Sequence, residues 1–491
     1  MSFTQRLLAT LCFLLMASGL QAQSNSHILQ VSHCDCGEAA CGCEPEPGCG
    51  LEPVWVENAS DPGCGIEADC GVEPGCGFPP ACGTESSGEV WLATEPSCGI
   101  GDCSGCTSCG GGLFDGGGLF GGRAGGCDLG DPFAVLGECN GFKMGGWVQF
   151  GYHNRNLSLF NSRKHELQLH QGWLFAEQEF DASQGFGWGG RVDYLFGTDG
   201  PDTQAFGINN SHWDNSWDHG ADYGHALPQA YLETGYGKLT AKIGHFYTVI
   251  GYEVVSAPDN FFYSHAYTMY NSEPFTHTGA MLNYDYSTHV DVFGGYVMGW
   301  DSGFEDNGDA VLAGSSVNLS DSITVTSTMI AGRFADNSNG DERGFMSSTV
   351  VNVSLSDQLS YVLQADVLDT EDVAGLTVRE TKGINQYLMY SFGECLSVGS
   401  RFEWWNVAAD SQGFYGNAPA GLASTASGDF DVYGLTLGAN IKPHANLLFR
   451  PEIRWDWVDG SQSDLATADI QILEGNEDRQ TTFGLDAIVL F

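Results

Sequence analysis

From residue 141 onward, apolar and polar residues alternate with the two-residue period of β-strands. The alternating segments are ten to thirteen residues long, which is the length of a transmembrane strand. Sixteen strands are predicted, near 142–153, 165–180, 186–197, 225–236, 238–248, 276–286, 288–300, 310–319, 322–334, 344–355, 359–371, 379–391, 395–406, 430–441, 446–458 and 480–491. The alternation breaks near Gln171, where we expect a bulge or a strand boundary.

The last predicted strand places Phe483, Leu485, Ala487, Val489 and Phe491 on one face. This pattern is typical of a barrel whose last strand faces lipid while it pairs with the first. An edge strand of a soluble sheet is the alternative interpretation.

Charged residues occupy the face opposite the apolar one. In the fifteenth predicted strand Arg450, Glu452, Arg454 and Asp456 oppose Phe449, Ile453, Trp455 and Trp457. In the thirteenth, Arg401 and Glu403 oppose Phe402 and Trp404. Because unpaired charges are costly in a dry interior, these faces predict a water-filled lumen.

The predicted connections alternate between short turns and long acidic loops, as in bacterial outer-membrane proteins with short periplasmic turns. The fold class predicted is all-β, a transmembrane antiparallel β-barrel of about 16 strands. A barrel of that size leaves an aqueous channel. Passive diffusion of small hydrophilic solutes across the bacterial outer membrane is therefore the function that the pattern favours.

Residues before the barrel divide into two predicted segments. A signal peptide is expected over 1–22, because Arg6 precedes an apolar run and a small-residue cleavage site. Residues 23–140 form an acidic Cys/Gly/Pro-rich arm of low complexity, with too few large apolar residues for a core. The barrel is assigned to 141–491.

Cysteine usage sets the arm apart, since 15 of the 17 cysteines lie between Cys34 and Cys139. In an exported chain, disulfides or intermolecular cross-links are the simplest use, and metal binding is the alternative. Cys395 lies near a predicted periplasmic turn and is interpreted as a free thiol. No metal site or cofactor is assigned.

The formal net charge of −44 argues against nucleic acid as a partner. No nucleophile, base and orienting group form a recognisable set, so an enzyme is not predicted. Outer-membrane lipid and small hydrophilic solutes or cations are the expected partners.

Residues Asn260–Ser264 and Glu273–Gly279 resemble segments of the putative β-barrel porin-2, OmpL-like family. Residues Val192–Asp199 and Gln229–Glu233 also look like early strands of that family. The resemblance covers roughly residues 141–491 and implies an outer-membrane porin.

The loop 249–275 is rich in aromatic residues, which suggests that it folds against protein. By analogy with general porins, we expect it to form the pore constriction, with Glu253, Asp259 and Glu273 supplying negative charge. No Lys or Arg lies between Lys242 and Arg333 to neutralise them, so cation preference is predicted. An opposing basic wall is predicted from Arg191, Lys242, Arg401, Arg450 and Arg454. Alternatively, the loop packs on top of the barrel and its carboxylates are solvated.

Two expectations concern assembly. A homotrimer is expected by analogy with general porins. The alternative function is a structural or adhesive envelope barrel that is anchored or cross-linked to other envelope proteins through its Cys-rich arm.

Overall fold

A computed structural model describes residues 129–130, 132, 138–139, 141–157, 159–182, 185–205, 212–305, 308–337, 340–408, 430–459, 473 and 477–491. The predicted signal peptide and nearly all of the predicted arm lie outside the described residues. The side chains of 138–139 and 335–341 are not described either.

Sixteen long strands make up the described barrel. Their bounds are β1 Phe142–His153, β2 Gln168–Gln178, β3 Phe186–Gly197, β4 Tyr223–Tyr236, β5 Leu239–Tyr247, β6 Thr276–Ser287, β7 Val290–Val297, β8 Asp309–Ser320, β9 Ile323–Asn337, β10 Gly340–Ser354, β11 Leu359–Glu371, β12 Thr377–Gly393, β13 Leu396–Val407, β14 Phe430–His444, β15 Leu447–Asp459 and β16 Arg479–Leu490. Two strands of two residues, Glu138–Cys139 and Asp218–His219, pair with ends of β1 and β4. The predicted number and order of long strands are confirmed.

Each strand pairs antiparallel with its neighbours in sequence, and β16 pairs with β1 to close the barrel. The closing register runs from Gly484 opposite His153 to Leu490 opposite Trp147. Beyond it, the Gly146 amide donates to the Phe491 carbonyl oxygen at 2.9 Å. Closure leaves no strand edge with unpaired backbone groups facing lipid, which is the condition for a sheet to cross a bilayer.

The outer face is apolar and the inner face carries the polar groups, as the alternation predicts. On β16, Phe483, Leu485 and Val489 expose 54%, 48% and 43% of their surface, whereas Thr482 and Asp486 are buried inside. The same alternation continues on β13 and β15.

A register shift on β2 confirms the predicted bulge near Gln171. Gln149 of β1 lies opposite Gln171, but the next residue, Phe150, lies opposite Leu169. His170 is the extra residue on β2. Because of the bulge, His170 and Gln171 are both buried on the inner side, although they are adjacent in sequence.

Helical structure is minor in the described residues. The two α-helices are α1, Gly200–Thr203, and α2, Tyr267–Asn271, and a 3₁₀ turn spans Ala257–Asp259. No helix in this part of the chain is long and apolar enough to cross a membrane.

Cys395 is disulfide-bonded, so the interpretation of it as a free thiol is wrong. Its neighbour Glu394 accepts a hydrogen bond from the Leu129 amide at 2.9 Å, which places the end of the arm at the β12–β13 turn. Sequence spacing gave no sign of this proximity, because 265 residues separate the two partners.

Candidate functional site

The loop between β5 and β6, residues 248–275, lies against the inner face of the barrel wall; we call it the inner loop. Its aromatic residues Phe262, Tyr263, Tyr267 and Tyr270 are buried, with 2–6% of their surface exposed. Tyr267 stacks on Trp405 of β13 with ring centroids 6.1 Å apart. The aromatic composition of the loop is therefore explained by packing against inward-facing side chains.

Arg450 on β15 binds three carbonyl oxygens of the inner loop. Its Nη1 donates to Ala257, Asn260 and Phe262 at 2.7, 2.7 and 3.1 Å. Its Nε donates to Asp486 of β16 at 3.0 Å. An irregular loop leaves carbonyl groups unpaired, and the fork of donors on a guanidinium satisfies several at once. We call this arrangement the arginine clamp.

A second charged cluster joins β13 and β15 to the middle of the loop. Arg401 donates to the Ser264 carbonyl at 2.6 Å and to carboxylate oxygens of Glu253 and Glu403, both at 2.8 Å. Arg454 donates to the His265 carbonyl and to Asp456, both at 2.7 Å. The cluster alternates in sign, which is what makes its burial tolerable.

Carboxylates of the same cluster accept from loop amides. Glu452 accepts from Tyr263 and Ser264 at 3.0 and 3.1 Å, and Glu403 accepts from Tyr267 at 2.8 Å. Wall side chains thus satisfy donors and acceptors of the loop backbone together. These charged residues hold the loop in place, a role that their strand alternation alone did not reveal.

The bulge on β2 supplies a further attachment. Gln171 donates to the Val255 carbonyl at 2.8 Å and accepts from the Ala257 amide at 3.1 Å. His170 Nε2 lies 2.7 Å from the Tyr263 hydroxyl, and its Nδ1 lies 2.8 Å from Asp199. Two adjacent inward side chains therefore bind two different parts of the inner loop.

A small polar cavity of about 10 Å³, close to the minimum for one water molecule, lies between this attachment and the arginine clamp. Its lining includes Gln149, His170, Asp199, Asn260 and Arg450. Most of these groups already bind one another or the loop, so the cavity belongs to the attachment of the loop.

The three acidic residues predicted for the constriction lie in different surroundings. Glu253 is buried and paired with Arg401. Burial would raise the pKa of Glu253, but Arg401, His265 and the Ala266 amide together lower it to about 2. Glu273 is also buried, against Gln364 of β11, whereas Asp259 is exposed.

The five predicted basic residues divide in the same way. Arg401, Arg450 and Arg454 are at most 2% exposed and bind the inner loop directly, so they do not stand across an open gap from it. Arg191 and Lys242 keep 21% and 25% of their side chains exposed. Of the eight predicted residues, Asp259, Arg191 and Lys242 therefore carry charge in contact with water.

Inward-facing charges also follow the wall from β2 to β7. Arg191 pairs with Asp193 at 2.6 Å and with Glu177 at 3.4 Å, and Lys242 pairs with Glu233 at 3.2 Å. Further along, Asp285 and Asp291 face each other on β6 and β7. We call the solvent-accessible set the charged wall, and it consists of Glu177, Arg191, Glu233, Lys242, Asp285 and Asp291.

Residues 141–491 match the model of the family described as putative β-barrel porin-2, OmpL-like. None of the curated proteins matches this chain.

Several solved barrels are similar in structure. In-vitro folded OmpT, an outer membrane protein of Vibrio cholerae, is 12% identical, with 73% of this chain and 100% of that chain covered and a TM-score of 0.46. An anion-selective porin from Comamonas acidovorans is 11% identical, with 71% and 99% covered and a TM-score of 0.46. A mutant of the Rh. blastica porin is 13% identical, with 71% and 100% covered and a TM-score of 0.43.

Proposed function

The chain belongs to the putative β-barrel porin-2, OmpL-like family, and on that basis we propose that this outer-membrane porin is a non-enzymatic channel for passive diffusion of small hydrophilic solutes. The observation that carries the proposal is the unequal lining of its sixteen-stranded wall. One part of the lumen is covered by the inner loop, while the charged wall keeps contact with water. A pore of this kind selects by width and charge, without a tight binding site.

In this proposal the inner loop sets the width of the pore. The arginine clamp and the cluster around Arg401 hold the loop against strands β13–β16. Solutes then pass between the exposed side of the loop, where Asp259 lies, and the charged wall.

The proposed selectivity is a preference for cations. The charged wall contains four carboxylates and two cations, and Asp259 adds a fifth carboxylate from the loop. The buried arginines contribute little, because Glu253, Glu403, Asp456 and Asp486 neutralise them at short distance. Excess carboxylates at a narrow passage favour cations.

Two measurements on the refolded full-length mature chain test the proposal. In planar bilayers under a KCl gradient, we expect stepwise conductance. The sign of the reversal potential should show that K⁺ permeates more readily than Cl⁻. In liposome-swelling assays, we expect neutral sugars to enter at rates that fall with their size.

Absence of conductance and swelling would reject the diffusion pore. If envelope proteins remained cross-linked to such a non-conducting protein, the structural barrel would be the better interpretation. Conductance with anion preference would reject the selectivity alone.

A further inference from the structure

Two buried carboxyl groups meet where the inner loop returns to the barrel wall. Glu273 lies near the end of the loop and Asp366 lies on β11, with 6% and 3% of their surface exposed. The side-chain nitrogen of Gln364 donates to Glu273 at 2.7 Å and to Asp366 at 2.6 Å. One amide nitrogen reaches both groups only because their oxygens are close together.

Several other buried carboxylates near the loop have a cation partner, unlike this pair. Glu253, Asp456 and Asp486 each have a guanidinium partner within 2.8 Å. None of the ion pairs found among the described residues includes Glu273 or Asp366.

In the part of the chain that the structure describes, the elements packed around the pair bring no compensating cation. From β12 the nearby ionisable group is Tyr387, and beyond it Glu253 and Arg401 bind each other. Polar neighbours from the loop and from β10 are the uncharged Thr268 and Ser348. Two carboxylates that bind the same amide nitrogen in a buried site would repel each other strongly if both were ionised, and such pairs retain a proton. Burial is the main cause that raises the pKa of Glu273 well above its usual range, and the neighbouring Asp366 carboxylate raises it further.

We propose that Glu273 and Asp366 share one proton at neutral pH, and that its loss at alkaline pH detaches the end of the inner loop from β11 and changes the width of the pore. This inference rests on the proposed function, because it assigns the loop a role in setting conductance.

Two contacts connect the pair to the position of the loop. Gln364 also accepts a hydrogen bond from the Tyr252 amide at 3.1 Å, so one side chain holds both ends of the loop. At Gly251, with φ +90°, an added Cβ would lie 1.9 Å from a Glu273 oxygen. The Glu273 carboxylate is therefore confined by backbone, and repulsion from Asp366 acts on the loop itself.

The test is single-channel conductance of the full mature chain from about pH 6 to about pH 10, a range above the ordinary pKa of carboxyl groups. We expect the wild-type conductance to change reversibly with a single midpoint. Glu273→Gln should lose this change, because its amide keeps a hydrogen bond to Asp366 without adding a second charge. Asp321→Asn, at an exposed carboxylate in the turn between β8 and β9, should keep the wild-type response.

Infrared difference spectra of the wild type and of Glu273→Gln give a second readout, because their comparison separates the pair from other buried carboxyl groups such as Asp202. A carbonyl band of a protonated carboxylic acid that is present in the wild type and absent from Glu273→Gln should disappear with the same midpoint as the conductance change.

The outcomes separate the two proposals. If no protein conducts at any pH, the diffusion pore fails. If the pore conducts but the wild type shows no pH response and no carbonyl band, or if Glu273→Gln responds like the wild type, the shared proton alone is overturned.

Discussion

Arg450 and Asp486 lie on adjacent strands with Nε and Oδ1 3.0 Å apart, and the same guanidinium binds three carbonyl oxygens of the inner loop. The ion pair aligns the guanidinium so that its Nη1 points at the loop. Removing two charges from water is costly, so such a pair adds little net stability. The ion pair instead fixes the orientation of the Arg450 guanidinium. Because this group is planar and one edge binds Asp486, the remaining donors can bind the loop in only one orientation.

Arg450→Met should destabilise the barrel by about 3–5 kcal/mol, because it leaves the Asp486 carboxylate buried without its cation. Gln149 would remain as a neutral donor to Asp486, at 2.7 Å. Urea unfolding in detergent micelles measures the loss.

The double variant Arg450→Met, Asp486→Asn is the matched control. It should recover much of the stability, because no unpaired charge remains. Both variants lack the arginine clamp, so the inner loop should fluctuate in the pore and the single-channel current of both should be noisier than that of the wild type. Quiet channels in both variants would contradict the role of the clamp in holding the loop.

Charge at the water-accessible residues should control selectivity. Asp259→Asn should reduce the cation preference, and Arg191→Gln should increase it, since these side chains keep contact with the lumen. Reversal potentials in a salt gradient measure both changes. Asp259→Glu is the control that keeps the charge, and equal reversal potentials for Asp259→Asn and the wild type would contradict the assignment.

Asp202 should make the loop after β3 less stable as the pH rises. Burial raises the pKa of Asp202 to about 7, although its carboxylate accepts from the Phe160 amide at 2.6 Å. Because the pKa of Asp202 is higher in the folded than in the unfolded loop, its contribution to stability is complete at a pH below the ordinary pKa of Asp. It is lost as the pH rises through about 7, by at most about 4 kcal/mol.

Limited proteolysis of reconstituted protein measures this local stability. Cleavage near α1 should accelerate between about pH 4 and about pH 7 in the wild type. Asp202→Asn should show a flat profile, and an equally steep profile in this variant would assign the effect to another group.

Cys395 should appear in a disulfide-linked peptide when the protein is digested without reduction. All other cysteines lie at Cys139 or earlier, and Leu129 binds Glu394 beside Cys395, so Cys127 is the expected partner. Trypsin releases Cys395 in 383–401 and leaves Cys127 and Cys139 together in 124–143. Cleavage before Asp128 then separates these two. Mass spectrometry showing a free Cys395 thiol, or linkage to Cys139, would contradict the prediction, and Cys395→Ser is the control.

Local patterns were sufficient to predict the wall of the barrel. A period of two residues fixed which face of β15 and β16 meets lipid, and its interruption near Gln171 marked the bulge. These features are legible in sequence because each depends on residues a few positions apart.

The partners of the inward charges were not predictable in the same way. Alternation shows that Arg450 faces inward, but not whether water or protein meets it there. That depends on a contact with Ala257, 193 residues away in sequence. The same limit applies to Glu273 and Gln364, which are separated by 91 residues.

The order of these elements along the chain has a consequence for assembly. The inner loop follows β5. Part of its attachment, at Gln171, lies on the earlier strand β2, but the arginines that bind its carbonyl groups lie on the late strands β13 and β15. The attachment of the loop is therefore complete only when these late strands have joined the barrel. We expect the open width of the channel to become fixed only at that stage, among the last properties that the molecule acquires.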